Sequence, residues 1–261
     1  EEVLDQGLKY VNNDSCYPSI TVVGQFMEAI NSGRYDTDKL AIIMTQTGGA
    51  CRASNYVGYI RKGLKDAGYP NIPVIALSAQ GIETNAGLDL RKPSTIPFLK
   101  KGFRAIIFGD LLNRVANATR PYEVEKGVTN RLKEAWIDRL KVEAPTMTDR
   151  QYKKCVKEIV DDFDSIPVRD IKLPKAGIVG EILVKFLPEA NNNLQKVLEA
   201  EGAEVILPEL TDFFMYCMKN SELKADLYGK SKMSARIGKI GISIVEQYRK
   251  PVRKAIRASK R

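Results

Sequence analysis

Four cysteines, at positions 16, 51, 155 and 217, and no histidine set the chemistry open to this 261-residue chain. Without imidazole there is no Ser–His or Cys–His nucleophile, no HExxH zinc site and no histidine general base. Thiolates, carboxylates, lysines, tyrosines or a bound cofactor remain. Cys51 stands in TQTGGACRASNYVGYIRKGL, where Gly48 and Gly49 let the backbone turn tightly and leave room for a group to approach the thiol. Backbone N–H groups at a helix start favour negative charge, which suits a thiolate acting as metal ligand or nucleophile; the plainer alternative is a cysteine that merely packs. Cys16, in NNDSCYPSITVVGQF, has the same setting at the mouth of a helix. Cys155 lies in YKKCVKEIV, an amphipathic helical pattern, and is predicted to pack. Cys217 lies in the apolar helical segment LTDFFMYCMKN and is predicted to sit in the core among Phe213, Phe214 and Met218, unless it is a ligand. Four thiols this scattered make neither a secreted disulfide framework nor a C-x-x-C zinc ribbon. Free thiols in a reducing compartment, some of them holding a metal cluster, fit better.

The elements around these thiols read as α/β. Leu40 to Met44 is a continuous apolar run, predicted to be a strand covered on both faces. Tyr56, Ile60 and Leu64 come next at helical spacing, and PVIALSAQ (73–80) is a second buried strand, giving a parallel crossover. Upstream, a short strand over Leu8 to Val11 precedes a helix opened by Pro18, with Val22, Val23, Phe26 and Ile30 on its apolar face and Gly33 at its end. This topology puts Cys16 and Cys51 at the carboxyl edge of one sheet, where such sheets gather ligands. From Thr95 to about Asp164 the pattern is helical, with a break at Pro121 and Trp136 and Leu140 on one face. A second βαβ unit comes after it, with strand 175–184, helix 191–202 and strand 203–208. The predicted architecture is two Rossmann-like parallel-sheet units, at 1–94 and 171–220, a helical region at 95–170 between them, and basic C-terminal helices at 221–261.

The net charge of +9 belongs to the tail: residues 230–261 carry eleven Lys or Arg against Glu246, a net +10, and the remaining 229 residues are near −1. Ile237, Ile240, Ile244, Val245, Tyr248, Val252 and Ile256 form one stripe, so the tail reads as an amphipathic helix with a basic outer face, broken or kinked at Pro251. That face is either simply solvated or turned to an anionic partner. No apolar run approaches the roughly 20 residues that cross a bilayer, so no membrane partner is expected and a cytoplasmic place is. The chain begins EEVLDQGLKYV without Met, as a processed chain or a piece of a longer one would. Neither GxxxxGK[ST] nor GxGxxG occurs, so the chain has no ATP or dinucleotide fingerprint of its own.

The stretches NNDSCYPSITVVGQF, MTQTGGACRASNYVGYIRKGLKDAGYPNIPVIALS, GIVGEILVKFLPEANNN, LTDFFMYC and IGKIGISIVEQYRKPVRKA resemble the 2-hydroxyglutaryl-CoA dehydratase (2-hydroxyacyl-CoA dehydratase) family. The likeness is closest to the large fused proteins called CoA-substrate-specific enzyme activases, and it covers nearly the whole chain. It implies a four-iron, four-sulfur (4Fe-4S) cluster held by three widely spaced cysteines, with one iron open to substrate. It also implies an ATP-dependent activator protein or domain that delivers a low-potential electron, a second dehydratase-like subunit or repeat, and an acyl-CoA substrate that loses water by a radical route. By the same resemblance Cys16 and Cys51 match the first two ligands, and the third is Cys217 or a cysteine of a Cys-Leu-Pro motif beyond Arg261. Gln46, Thr47, Gly48, Gly49, Arg52 and Asn55 surround Cys51, either donating hydrogen bonds to cluster or substrate or simply closing the turn. A cluster-bearing reductase of another small molecule is the alternative. A nucleic-acid module built on the tail is a third reading, with little aromatic interleaving there to support it.

Overall fold

The computed structural model describes residues 2–46, 51–77, 93–229 and 232–260. These residues are mostly helical, and among them are two small sheets of two parallel strands each. Packing divides the chain into two compact units, Glu1–Leu99 and Lys100–Arg261.

In the first unit, helices α1 (Glu2–Tyr10) and α2 (Tyr17–Asn31) pair closely, and α3 (Tyr56–Asp66) packs on α2. Strand β1 (Ile42–Thr45) runs parallel to β2 (Val74–Leu77), with Ile42 opposite Val74 and Thr45 opposite Leu77. Val22, Val23, Met27 and Ile30 of α2 are buried, as are Tyr56, Val57, Ile60 and Leu64 of α3. Each such aliphatic side chain contributes about 1.5–3 kcal/mol by leaving water.

Residues 8–11 correct the sequence reading: they form the end of helix α1 and the residue after it, with no strand. Val3, Leu4, Gly7 and Val11 recur at helical spacing, and Glu2 and Asp5 in the first turn with Lys9 in the last complement the helix dipole. Cys16 therefore comes after a helix, and only Cys51 comes after a strand of the sheet. The expectation of a β1 covered on both faces also fails, because a two-stranded sheet leaves Ile43 53 % exposed.

The second unit is built on α4 (Ile96–Thr119), α5 (Val128–Glu143) and α6 (Asp149–Asp164), with a 3-10 turn at Arg120–Tyr122 where Pro121 stands. Leu111, Trp136, Leu140, Ile159 and Phe163 share its core with Cys155 and with Val252 from the C-terminal helix. Strand β3 (Lys175–Gly177) pairs in parallel with β4 (Glu204–Ile206), with α7 (Ile182–Phe186) and α8 (Leu194–Ala200) between them. The predicted strand over 175–184 is thus cut to three residues. Gly180, at φ 142°, turns the chain, and Glu181 accepts from the Val184 amide to open α7. The helix predicted over 191–202 is shortened too, because Asn192 and Asn193 take positive φ before α8.

Helices α9 (Leu210–Tyr228) and α10 (Lys232–Ala258) pack on each other, and α10 runs on through Pro251. Asp110 of α4 opens α9 by accepting from the Leu210 amide (2.8 Å), the Thr211 amide (2.9 Å) and the Thr211 hydroxyl (2.7 Å). Burial raises its carboxyl above the ordinary value, and those hydrogen bonds oppose the rise. On α10 only the second half of the apolar stripe reaches the core. Val245 and Val252 are buried, whereas Ile237, Ile240 and Ile244 are exposed. Part of the tail's charge is matched internally: Arg249 meets Glu209 and Asp212, Lys239 meets Glu222, and Arg253 meets Glu246. Among the described residues no helix is long and apolar enough to cross a membrane.

Glu123 marks the start of α5, where it accepts from the Gly127 amide at 2.6 Å and the Thr129 amide at 2.9 Å. Its burial would raise the carboxyl, but hydrogen bonds from Thr129 and the Gly127 amide outweigh this and hold it below the ordinary range. A depressed folded value contributes stability above the unfolded value and loses it as pH falls through the folded one. Glu123→Gln is therefore expected to lower the urea midpoint at neutral pH and to flatten the loss of stability below about pH 4. Parallel acid limbs in the two proteins would refute this.

Candidate functional site

Cys51 belongs to the carboxyl edge of the β1–β2 sheet. The Gln46 amide extends the pairing by donating to the Leu77 carbonyl at 2.9 Å, and the Gln46 side chain reaches across to the turn that carries Cys51. Its Nε2 donates to the Ser54 carbonyl at 3.0 Å, while the Ser54 hydroxyl donates back to the Cys51 carbonyl at 2.6 Å. Cys51 is thereby held, exposed, at the head of the 3-10 turn Arg52–Ser54, immediately before α3. Arg52 is exposed beside it, and Asn55 sets its side-chain oxygen where a β-carbon on Gly58 would lie, 2.4 Å away. Gln46 is 8 % exposed, and its Oε1 is buried with no hydrogen-bond partner among the described residues. A buried carbonyl left unpaired is costly, and this one lies in the side chain that braces the Cys51 turn. Thr47, Gly48 and Gly49 lie outside the described residues.

Cys16 caps the start of α2 with extended backbone, φ −60° and ψ 140°, ahead of Pro18 in the first turn. Its carbonyl accepts the Ser19 amide at 2.9 Å, and its Sγ lies 2.9 Å from the Ser19 hydroxyl. Ser19 is fully buried, and its hydroxyl is placed to donate to a thiolate at position 16. Sequence reasoning passed over Ser19. The available signal was its place three residues after the thiol, one turn along the same face.

Cys217 is exposed on α9, which corrects the expectation of a core position; burial of part of the side chain raises its thiol. It belongs to the second unit, whereas Cys16 and Cys51 belong to the first. Cys155 is buried in α6 as expected, and burial pushes its thiol up to about 11. All four thiols are free. Among the described residues no group of three or more His, Cys, Asp or Glu lies together as a metal site.

Alkylation of the native chain at pH 8 is expected to modify Cys51 and Cys217 first, Cys16 more slowly, and Cys155 only on unfolding. With its thiol at about 11, only about one Cys155 in a thousand is thiolate at pH 8. Mass mapping of the labelled peptides reads the order. Early labelling of Cys155 would mean that the helical core of the second unit opens readily.

Comparison with protein-family models, with curated proteins and with solved structures finds no match for this chain.

Proposed function

We propose that this chain is the electron-receiving, dehydratase-like part of a 2-hydroxyacyl-CoA dehydratase or activase system, built from two Rossmann-like units and working in the cytoplasm. The observation that supports this best is the pair of free thiols in the first unit. Each opens a helical turn, one beside a buried serine hydroxyl and the other braced by the Gln46 side chain. The donor chemistry suits iron: thiolates are cluster ligands, and nearby hydroxyl and amide donors tune cluster potential. In this reading Cys16 and Cys51 are two ligands of a 4Fe-4S cluster, and Cys217 or a thiol from outside this chain supplies the third. When bound, the cluster provides one-electron reduction of a thioester carbonyl.

The chain's own residues hold and tune. The Ser19 hydroxyl is placed to donate to a thiolate at Cys16, Gln46 keeps the Cys51 turn closed, and Arg52, exposed beside Cys51, supplies positive charge to an anionic acyl-CoA. An ATP-dependent activator provides the electron, and a second dehydratase-like subunit or repeat completes the site. The internal pairing of Arg249, Arg253 and Lys239 weighs against a nucleic-acid module on the tail.

Anaerobic reconstitution with iron and sulfide tests the reading. The expected product is brown and carries about four irons and four sulfides per site. A colourless, iron-free protein would overturn it. Turnover of 2-hydroxyacyl-CoA thioesters with the activator present then separates a dehydratase from a cluster-bearing reductase of another small molecule.

A further inference from the structure

The second unit carries a cavity that the cysteines do not touch. Beyond the carboxyl ends of β3 and β4, Ile178 and Leu207 line a space of about 320 Å³, together with Phe186, Lys185, Asn193 and Lys196. Ligands of parallel sheets collect at this edge, and the volume suits a small molecule.

The charge balance of the cavity decides what it takes. Arg120 also lines it, but its guanidinium is engaged by Glu199 at 2.6 Å and by Asn130 at 2.8 Å. The same Glu199 oxygen also accepts from Gln195 at 3.0 Å, so the one carboxylate that lines the cavity is already paired with Arg120. Lys185 and Lys196 have no ion pair among the described residues, which leaves the cavity with two uncompensated ammonium groups. The neighbouring cavity of about 370 Å³ differs: its Lys175 meets Glu204 at 3.1 Å, its Arg114 meets Glu209 at 2.9 Å, and its Asp164 accepts from Ser259 at 2.7 Å.

The walls and the loop add to the case. The Lys185 ammonium lies 4.7 Å from the centre of the Phe186 ring, so charge and a flat apolar face stand side by side. Asn191 ties the loop down by donating to the Val184 carbonyl at 2.8 Å and accepting from the Leu194 amide at 3.1 Å. Asn192 and Asn193 hold φ of 56° and 54°, a left-handed conformation that asparagine adopts more readily than other residues with a β-carbon. The side-chain amide of Asn193 makes no hydrogen bond among the described residues and lines the cavity as a spare donor.

We infer that this cavity binds an organic phosphate monoester with a flat or apolar body, of nucleoside monophosphate size. Two ammonium groups match a phosphate dianion better than a single carboxylate, and Phe186 with Ile178 and Leu207 matches the body. The site lies in the second unit, away in sequence from Cys16 and Cys51, and does not depend on the cluster reading.

Calorimetric titration of the whole chain with adenosine 5′-monophosphate, adenosine and inorganic phosphate tests this at low salt. Saturable binding of the monophosphate is expected with Kd at or below about 1 mM. The double variant Lys185→Ala/Lys196→Ala is expected to weaken it by about tenfold or more. Phe186→Leu is expected to weaken the monophosphate while leaving inorganic phosphate unchanged. No saturation by the monophosphate, adenosine binding as tightly as the monophosphate, or unchanged affinity in the lysine double variant would each overturn the assignment. Both lysines are at least partly exposed, so the double variant is expected to fold; circular dichroism checks that.

Discussion

Gly24→Ala is expected to destabilise the first unit by about 2 kcal/mol or more, although alanine in a helix interior is ordinarily worth up to about 1 kcal/mol over glycine. Helices α1 and α2 touch backbone to backbone. A β-carbon on Gly24 would lie 1.9 Å from the Val3 carbonyl oxygen, and one on Gly7 would lie 2.2 Å from that of Ile20. No flexible side chain is there to give way, so the helices must separate and Val3 and Leu4 lose their packing. Gly102→Ala and Gly109→Ala in α4 are the controls. Nothing lies within 4 Å of a β-carbon at either position, so both are expected to stabilise by up to about 1 kcal/mol. Hydrogen exchange of the α1 and α2 amides reads the first effect, and urea midpoints read the controls. A stabilised Gly24→Ala would mean that the two helices do not approach this closely. The effect reaches the candidate site, because the same pairing holds the mouth of α2 where Cys16 meets Ser19.

That contact also shows what the sequence could and could not reveal. The Tyr56, Ile60 and Leu64 spacing marked α3 correctly, since a helix buried on one face must repeat its apolar residues with the turn. Both parallel pairs were legible for a related reason: an apolar run, a helix and another apolar run admit few arrangements. Residues 8–11 misled because so short a stretch, Leu-Lys-Tyr-Val, fits either period, and only the residues from Glu2 onward settle it as helix. The glycines at 7 and 24 carry no pattern at all, since their meaning depends on which backbone crosses them.

The tail stripe was visible as a period, but periodicity does not say what covers it. Val252 meets the α6 core and the Tyr248 carbonyl accepts from the Tyr152 hydroxyl at 2.8 Å, while Ile237 and Ile240 meet nothing that buries them. For the candidate site, residue type and position marked Cys16, Cys51 and Gln46. They did not mark Ser19, nor the two lysines, Lys185 and Lys196, that line one cavity with Phe186 beyond the β3–β4 edge.

The four thiols supply the sharpest test of the proposed cluster, because their environments differ while the chemistry of substitution is the same. Serine keeps the size of cysteine but is not ionised near neutral pH, so it removes a thiolate ligand with little change in packing. Cys16→Ser and Cys51→Ser are each expected to abolish the brown colour and leave less than about a tenth of the iron bound after reconstitution. Cys155→Ser places a hydroxyl in the helical core, where an unpaired polar group costs about 1–3 kcal/mol, so stability falls while the iron stays. Cys217→Ser separates the two assignments of the third ligand: iron is lost if Cys217 binds it and retained if another chain or segment does. Colour and acid-labile sulfide read all four variants, with urea midpoints alongside to separate lost ligation from lost folding. Full iron in Cys51→Ser would remove the cluster from the carboxyl edge of the β1–β2 sheet, because the Gln46 and Ser54 contacts hold no other thiol there.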